Sequence, residues 1–213
     1  GLIGSSLSHV IRREGLAKSI SGHAHSASTR AKAIELSLVD DMHDTAEDAV
    51  KDADLIILCA PVGAFGAIAR EIGPHIARGA IVTDVGSVKE AVIRDVKPWI
   101  PDHAHLVPGH PVAGTEQSGP ESGFAELFQD RWCILTPLEN GDPEATGKLT
   151  AFWEGCGSHV EIMTAEHHDL VLAITSHIPH LIAYNIVGTA ADLESVTRSE
   201  VIKYSAGGFR DFT

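Results

Sequence analysis

Two runs of this sequence, Asp54-Leu-Ile-Ile-Leu-Cys-Ala60 and Gly79-Ala-Ile-Val-Thr-Asp84, are apolar almost without interruption and end abruptly, the first at Pro61. A strand with one wet face alternates apolar and polar residues, whereas a continuous apolar run must be covered on both faces. A parallel sheet achieves this by placing helices on either side. Helical patterns do flank the two runs: residues 26–36 are a helix of mixed charge, and residues 45–53 another with Thr45 as its cap. A strand is expected over 18–23. The chain is thereby held to an open α/β architecture, in which ligands bind beyond the carboxyl ends of the strands.

The first residues fit the same plan. Gly1-Leu-Ile-Gly4 opens a helical pattern, and Gly-x-x-Gly at a helix start is the latter part of a dinucleotide fingerprint, where glycine lets the backbone approach a pyrophosphate. A packing role for two small residues explains it equally well in isolation. Further on, 123–128 reads as a short helix or lid, 131–136 as a strand, 143–155 as a helix with Pro143 in its first turn, and 158–163 as a last strand. From residue 165 the pattern turns helical, over 166–187 and again from Asp192 to Tyr204. The expected domains are 1–164 and 165–213.

Composition narrows the partners. With 44% hydrophobic and 21% charged residues the chain has ample material for a core. A formal net charge of -13 argues against nucleic-acid or anionic-membrane surfaces, which need clustered cations. Cys59, Cys133 and Cys156 are odd in number and widely spaced, as expected of reduced, buried thiols in a cytoplasmic protein. No run is read as a membrane span. Thirteen histidines invite a metal, but no His-Glu-x-x-His helix and no zinc spacing occurs, so none is expected.

Chemistry concentrates in Leu106-Val-Pro-Gly-His110-Pro-Val-Ala-Gly-Thr115-Glu116, a strand end that presents one imidazole and leaves through a polar turn. Upstream, Asp84-Val-Gly-Ser87-Val-Lys89-Glu90 leaves a strand and enters a helix. Ser87 there is either the helix N-cap, with Glu90 completing a capping box, or a site hydroxyl at the sheet's carboxyl edge. Ser176-His177-Ile-Pro-His180 places two imidazoles on about one helix face, and Pro179 makes local irregularity expected. Its apolar flanks imply burial, and buried imidazoles need partners.

These motifs, followed by Ser205-Ala-Gly-Gly-Phe-Arg-Asp-Phe-Thr213, occur in the order seen in prephenate dehydrogenases, and the whole chain resembles that family, arogenate and cyclohexadienyl dehydrogenases included. The resemblance implies a Rossmann-type doubly wound parallel sheet, then an all-helical domain that dimerises, both truncated here. It implies oxidative decarboxylation of prephenate to 4-hydroxyphenylpyruvate in tyrosine biosynthesis. His110 matches the histidine that takes the ring hydroxyl's proton while hydride leaves the same carbon, and Ser87 the serine that orients the reacting groups. Thr115, Glu116, His177, His180 and Arg210 would face the substrate. Gly1, Leu2, Ile3, Gly4, His25, Ser26, Arg30, Ala60, Pro61 and Ser87 would hold the dinucleotide.

Two departures qualify this. The family's first strand would precede Gly1, and its carboxylate-gripping arginine would follow Thr213, so the chain is expected to be a fragment, poorly folded or inactive as it stands. Ala24 also stands where NAD-binding relatives carry an acidic residue for the adenosine ribose. His25, Ser26, Thr29 and Arg30 would suit a 2'-phosphate, which leaves NADP open beside the NAD usual in the family. Two other readings remain: a 3-hydroxyacid-type dehydrogenase, although 166–187 lacks that family's catalytic lysine, and a dinucleotide sensor without turnover.

Overall fold

A computed structural model describes residues 1–197, 200–204 and 206–210. The chain divides into two compact units, Gly1–His168 and Asp169–Thr213.

In the first unit the expected alternation is present. Helix α1 (Leu2–Glu14) is followed by β1 (Ser21–His23), α2 (Ala27–Glu35), β2 (Asp41–His43), α3 (Ala46–Ala49), β3 (Leu55–Leu58), α4 (Phe65–Ile72), β4 (Ile81–Asp84) and α5 (Glu90–Val96). Then come β5 (His105–Leu106), β6 (Gly109–Pro111), β7 (Trp132–Leu135), α6 (Pro143–Gly155), β8 (His159–Ile162) and α7 (Ala165–Leu172), which runs on into the second unit. Local chemistry sets several boundaries. Ser26, Thr45 and Asp142 each accept a backbone N–H from the first turn of the helix they precede, satisfying donors that lack an intrahelical partner.

Strands β1 and β2 pair in parallel, as do β3, β4 and β5 in the order β3-β4-β5. The uninterrupted apolar runs have the predicted cause. Ile81 and Val107 lie in one hydrophobic cluster with Leu7, Val10 and Ile11 of α1 and Leu149 and Trp153 of α6. Val82 and Leu106, their sequence neighbours, lie in a second with Phe65 and Ile72 of α4 and Val92 and Val96 of α5. Successive residues of one strand thus feed opposite faces, both covered by helices.

The remaining strands depart from an all-parallel sheet. After β5 the chain passes Pro108 and β6 joins a second group, β6-β7-β8, in which β6 runs antiparallel to β7 and β7 parallel to β8. The two groups meet at Gly109, where an added Cβ would lie 3.1 Å from Thr83 Oγ1 and 3.2 Å from the Asp84 carbonyl oxygen. Residues 123–128 do not form a helix. They follow a single 3-10 turn, Pro120–Ser122. Burial pushes the Cys133 and Cys156 thiols up, the latter to about 12, while Cys59 is exposed rather than buried as expected.

One interaction joins β4, the loop after it and β6. Lys89 Nζ lies 2.5 Å from Asp84 Oδ2 and 2.5 Å from the Gly109 carbonyl oxygen, and both side chains are buried. Asp84 also accepts N–H bonds from Gly86 at 2.8 Å and Gly109 at 3.2 Å. The pair is fully desolvated, and these bonds are what make it tolerable.

Within the second unit, α7 leads into a π-helical turn (Ala173–His177), then α8 (Ile178–Thr197), α9 (Glu200–Lys203) and α10 (Gly207–Arg210). The irregularity expected around Pro179 is this π turn, which accommodates a residue lacking an N–H and crowding the carbonyl one turn back. Helix α8 continues past Asp192, where a separate helix was expected. The anticipated burial of this stretch does not hold for the isolated chain: Leu170, Ile174, Leu181 and Tyr184 are exposed. Residues Ala165–Leu193 also have the length and apolarity, with mean hydropathy 1.5 over 18 residues, to cross a membrane, contrary to the expectation that no run does. Apolarity all round a helix fits a core position and equally a helix awaiting a partner.

Trp153, fully buried and edge-on to Phe128 and Phe152, should cost about 3–5 kcal/mol of unfolding free energy when changed to Ala, as measured by urea denaturation. Lys89→Met strands Asp84 in the interior and should cost about as much. Burial already holds the Asp84 carboxyl above its usual range against the pull of Lys89, and losing the ammonium raises it further. The folded state then binds the proton more tightly than the unfolded chain. The variant's deficit should therefore shrink as pH falls from about 7 toward about 4, and grow as pH rises through the raised value.

Candidate active site

His110 is the central residue of β6, opposite Ile134 of β7, and is 8% exposed. Its register partner follows from Pro108 and Gly109. Pro108 contributes only its carbonyl, which accepts from Thr136 N–H, and Gly109 allows the strand to press against β4. The Asp84–Lys89 pair grips Gly109 on both its N–H and C=O, so the residue before His110 is fixed by charge as well as by pairing.

The nearest ring is one the sequence did not single out as a site residue. His168 Nε2 lies 2.8 Å from His110 Nδ1, with the two rings edge-on at 5.1 Å between centroids. His168 is completely buried. It reaches His110 because Met163 N–H bonds the Leu135 carbonyl, extending β8 alongside β7, and Thr164 then starts α7 by accepting from His167 N–H through its hydroxyl. The chain turns into the helix beside the strand end that carries His110. His167-His168 held no spacing signal, since nothing in a His-His pair at a helix start tells which ring turns inward.

Ser87 is exposed in the loop between Asp84 and Lys89. Lys89, not Ser87, holds the N-cap position of α5, which starts at Glu90, and the Lys89 side chain makes no cap bond. The helix begins later because Lys89 is drawn into the interior by Asp84. Ser87 is thus left at the carboxyl edge of β4, on a loop whose two ends are tied to the strand of His110. No hydrogen bond joins the Ser87 hydroxyl to His110 among the described residues.

Thr115 and Glu116 are exposed, and Thr115 Oγ1 accepts from Gln117 N–H in a local turn. Their loop is fastened at its far end, where Phe124 N–H bonds Ser6 Oγ at 3.1 Å and a Cβ on Gly123 would lie 2.2 Å from Ser5 Oγ. No contact brings either residue to His110 among the described residues. His177 is half-buried and His180 exposed, both in the second unit. Arg210 ends α10, and its side chain lies outside the described residues.

At the start of the chain, Gly1 is the N-cap of α1, and Leu2, Ile3 and Gly4 form its first turn, with no side-chain cap and no acidic residue there. A Cβ on Gly4 would sit 3.4 Å from Cys59 Cβ, so this turn lies against the end of β3, next to Ala60 and Pro61. Uncapped N–H groups at a helix start beside a strand end fit a pyrophosphate. Around the second strand, Ser26 caps α2, and Arg30 Nη1 donates to the Ala24 and His25 carbonyls at 2.8 and 3.1 Å. Arg30 also pairs with Asp44 at 3.1 Å. The guanidinium therefore braces the loop where a ribose would bind, with its charge shared. No group of ligating side chains suited to a metal occurs among the described residues.

Comparison with known proteins identifies the family. Residues 7–162 match the family model for the prephenate dehydrogenase nucleotide-binding domain, and 164–213 that for its dimerization domain. The cyclohexadienyl dehydrogenase of Zymomonas mobilis is 43% identical over the whole chain, which spans 72% of that protein. The prephenate dehydrogenase of Bacillus subtilis is 33% identical, and the chain spans 57% of it. Among solved structures, prephenate dehydrogenase from A. aeolicus in complex with hydroxyphenyl propionate and NAD+ superposes with a TM-score of 0.89 at 33% identity, over 99% of this chain and 73% of that one. Synechocystis arogenate dehydrogenase gives 0.82 at 31% identity, over 99% of this chain and 74% of that one. The chain belongs to the prephenate dehydrogenase family.

Proposed function

We propose that the protein carrying this chain oxidises and decarboxylates prephenate to 4-hydroxyphenylpyruvate and carbon dioxide, in tyrosine biosynthesis, as an NAD(P)-dependent oxidoreductase. The observation that carries the reading is His110, a buried imidazole on a strand end clamped by the Asp84–Lys89 pair. A second support is the uncapped first turn of α1, which lies against the end of β3 and suits a dinucleotide pyrophosphate.

The chemistry assigned to these residues balances. Substrate donates its ring hydroxyl proton to His110 Nε2, for which a neutral imidazole is suited near neutral pH. The nicotinamide of NAD(P)+, when bound, accepts the hydride from the carbon bearing that oxygen. The bond from the ring to its carboxylate then breaks, its electrons aromatise the ring, and the proton held by His110 returns to the oxygen. Prephenate and NAD(P)+ thus become 4-hydroxyphenylpyruvate, carbon dioxide and NAD(P)H with no net proton. Ser87 orients the hydroxyl and nicotinamide from its loop. Thr115, Glu116, His177, His180 and Arg210 are the residues we assign to substrate recognition, and Gly1 to Gly4, His25, Ser26, Arg30, Ala60 and Pro61 those we assign to the cofactor.

Arogenate is the second reading for substrate, favoured by the 43% identity to a cyclohexadienyl dehydrogenase and by the superposition on an arogenate dehydrogenase. For the cofactor, the NAD+ complex of the A. aeolicus enzyme supports NAD, and Ala24 beside Arg30 keeps NADP in view. The domains are read as 1–164 and 165–213. The second forms a homodimer whose partner copy covers the exposed apolar helix. A match to a dimerization domain, together with Glu166, Asp169, His177, His180 and Pro179 within the run, supports a protein partner over a bilayer. A cytoplasmic setting suits the three thiols, and nucleic acid is no partner of so acidic a chain.

The test is cofactor reduction with prephenate and then arogenate, using protein from the complete reading frame. His110→Asn should lower kcat by about 10²- to 10⁴-fold while dinucleotide binding persists. The ratio of NAD to NADP turnover identifies the preferred cofactor. Tight dinucleotide binding with neither substrate turned over would replace the dehydrogenase by a sensor.

A further inference from the structure

We infer that His168 is a positioning residue for the reaction: it holds His110 in the tautomer whose Nε2 receives the substrate proton, and it shares the resulting positive charge. The inference rests on the dehydrogenase reading above and adds a role to a residue that the reading does not use.

Three observations carry it. The contact is specific, Nδ1 of His110 to Nε2 of His168 at 2.8 Å, a distance at which one N–H is shared between two ring nitrogens. His168 is 0% exposed and His110 is 8% exposed, so the bond is made where an unmet imidazole nitrogen is costly. Each ring is also held by backbone that has little freedom. His110 follows the glycine gripped by Asp84 and Lys89, and His168 N–H bonds the Thr164 carbonyl at the start of α7.

A neutral imidazole carries its proton on one nitrogen only. With the bond to His168 in place, the productive arrangement has His110 donating from Nδ1–H to Nε2 of His168, whose own proton is then on Nδ1. Nε2 of His110 is therefore the basic nitrogen. When it takes the hydroxyl proton, the imidazolium keeps its Nδ1–H bond to a ring that can itself accept a proton, and hydrogen bonding to the charged form stabilises it. Because the proton returns to the product oxygen, the pair has only to hold it through hydride transfer and decarboxylation. No exit path to solvent is required, which fits a partner ring that is sealed from water.

The test combines kinetics with nitrogen-15 NMR of histidine-labelled protein from the complete reading frame, with His110 assigned by its loss in His110→Gln. Expected for the unaltered protein is an Nδ1-protonated His110. His168→Leu should populate both tautomers and lower kcat about 100-fold with cofactor KM unchanged. His168→Gln, which keeps a hydrogen-bond acceptor but cannot carry the proton, should restore the tautomer and recover part of kcat. An Nε2-protonated His110 in the unaltered protein would overturn the inference. So would a His168→Leu variant that keeps kcat within about twofold, or equal losses in both variants accompanied by equal losses of thermal stability. Turnover by the unaltered protein tests the dehydrogenase reading separately, since the tautomer is read without substrate.

Discussion

The arrangement depends on an ion pair that is expensive to bury. Removing Asp84 and Lys89 from water costs several kcal/mol per ion, on the order of what their attraction returns. The surplus comes from the backbone groups that complete the set, the N–H groups of Gly86 and Gly109 and the carbonyl of Gly109. Those groups belong to three separate passages of chain: the end of β4, the loop that leaves it, and the strand of His110. Apolar packing of the same volume would hold them together as well, but it has no directional preference. A carboxylate and an ammonium, each with directional hydrogen bonds, tie the end of β4 to Gly109 at defined atoms, and catalytic groups need such fixed placement.

From this clamp the rest of the site is built outward. Lys89 starts α5 late, which leaves Ser87 outside the helix at the sheet edge. Gly109 fixes His110, and the parallel pairing of β8 with β7 brings the chain to the point where α7 can deliver His168. The first turn of α1 lies against the end of β3, and β3 pairs with β4, the strand that ends in Asp84.

What could be seen in the sequence and what could not divide along a physical line. Features governed by neighbouring residues were legible. Continuous apolar runs meant strands covered on both faces, Thr45, Ser26 and Pro143 marked helix starts, and Pro179 marked an irregularity that took the form of a π turn. Features decided by distant partners were not. The Ser87-Glu90 spacing is that of a capping box, yet the N-cap position falls to Lys89, whose side chain has a partner in the interior. The antiparallel β6-β7 pairing leaves no mark in a run as short as Gly109–Pro111, and the inward turn of His168 depends on where β8 ends. The exposure of the apolar stretch around Leu170 to Tyr184 has the same origin, since sequence reports a need for burial without saying whether the same chain supplies it.

The close approach of Gly123 to Ser5, and the bond from Phe124 to Ser6, bear on how the loop carrying Thr115 and Glu116 can vary. Both ends of that loop are moored, one by the His110 strand and the other on the first two turns of α1. Insertions and deletions are tolerated where backbone is exposed and unattached, which here means the tip between the moorings. Changes in the length of this tip can therefore leave both the His110 strand and α1 undisturbed, so the loop can evolve as an independent cassette.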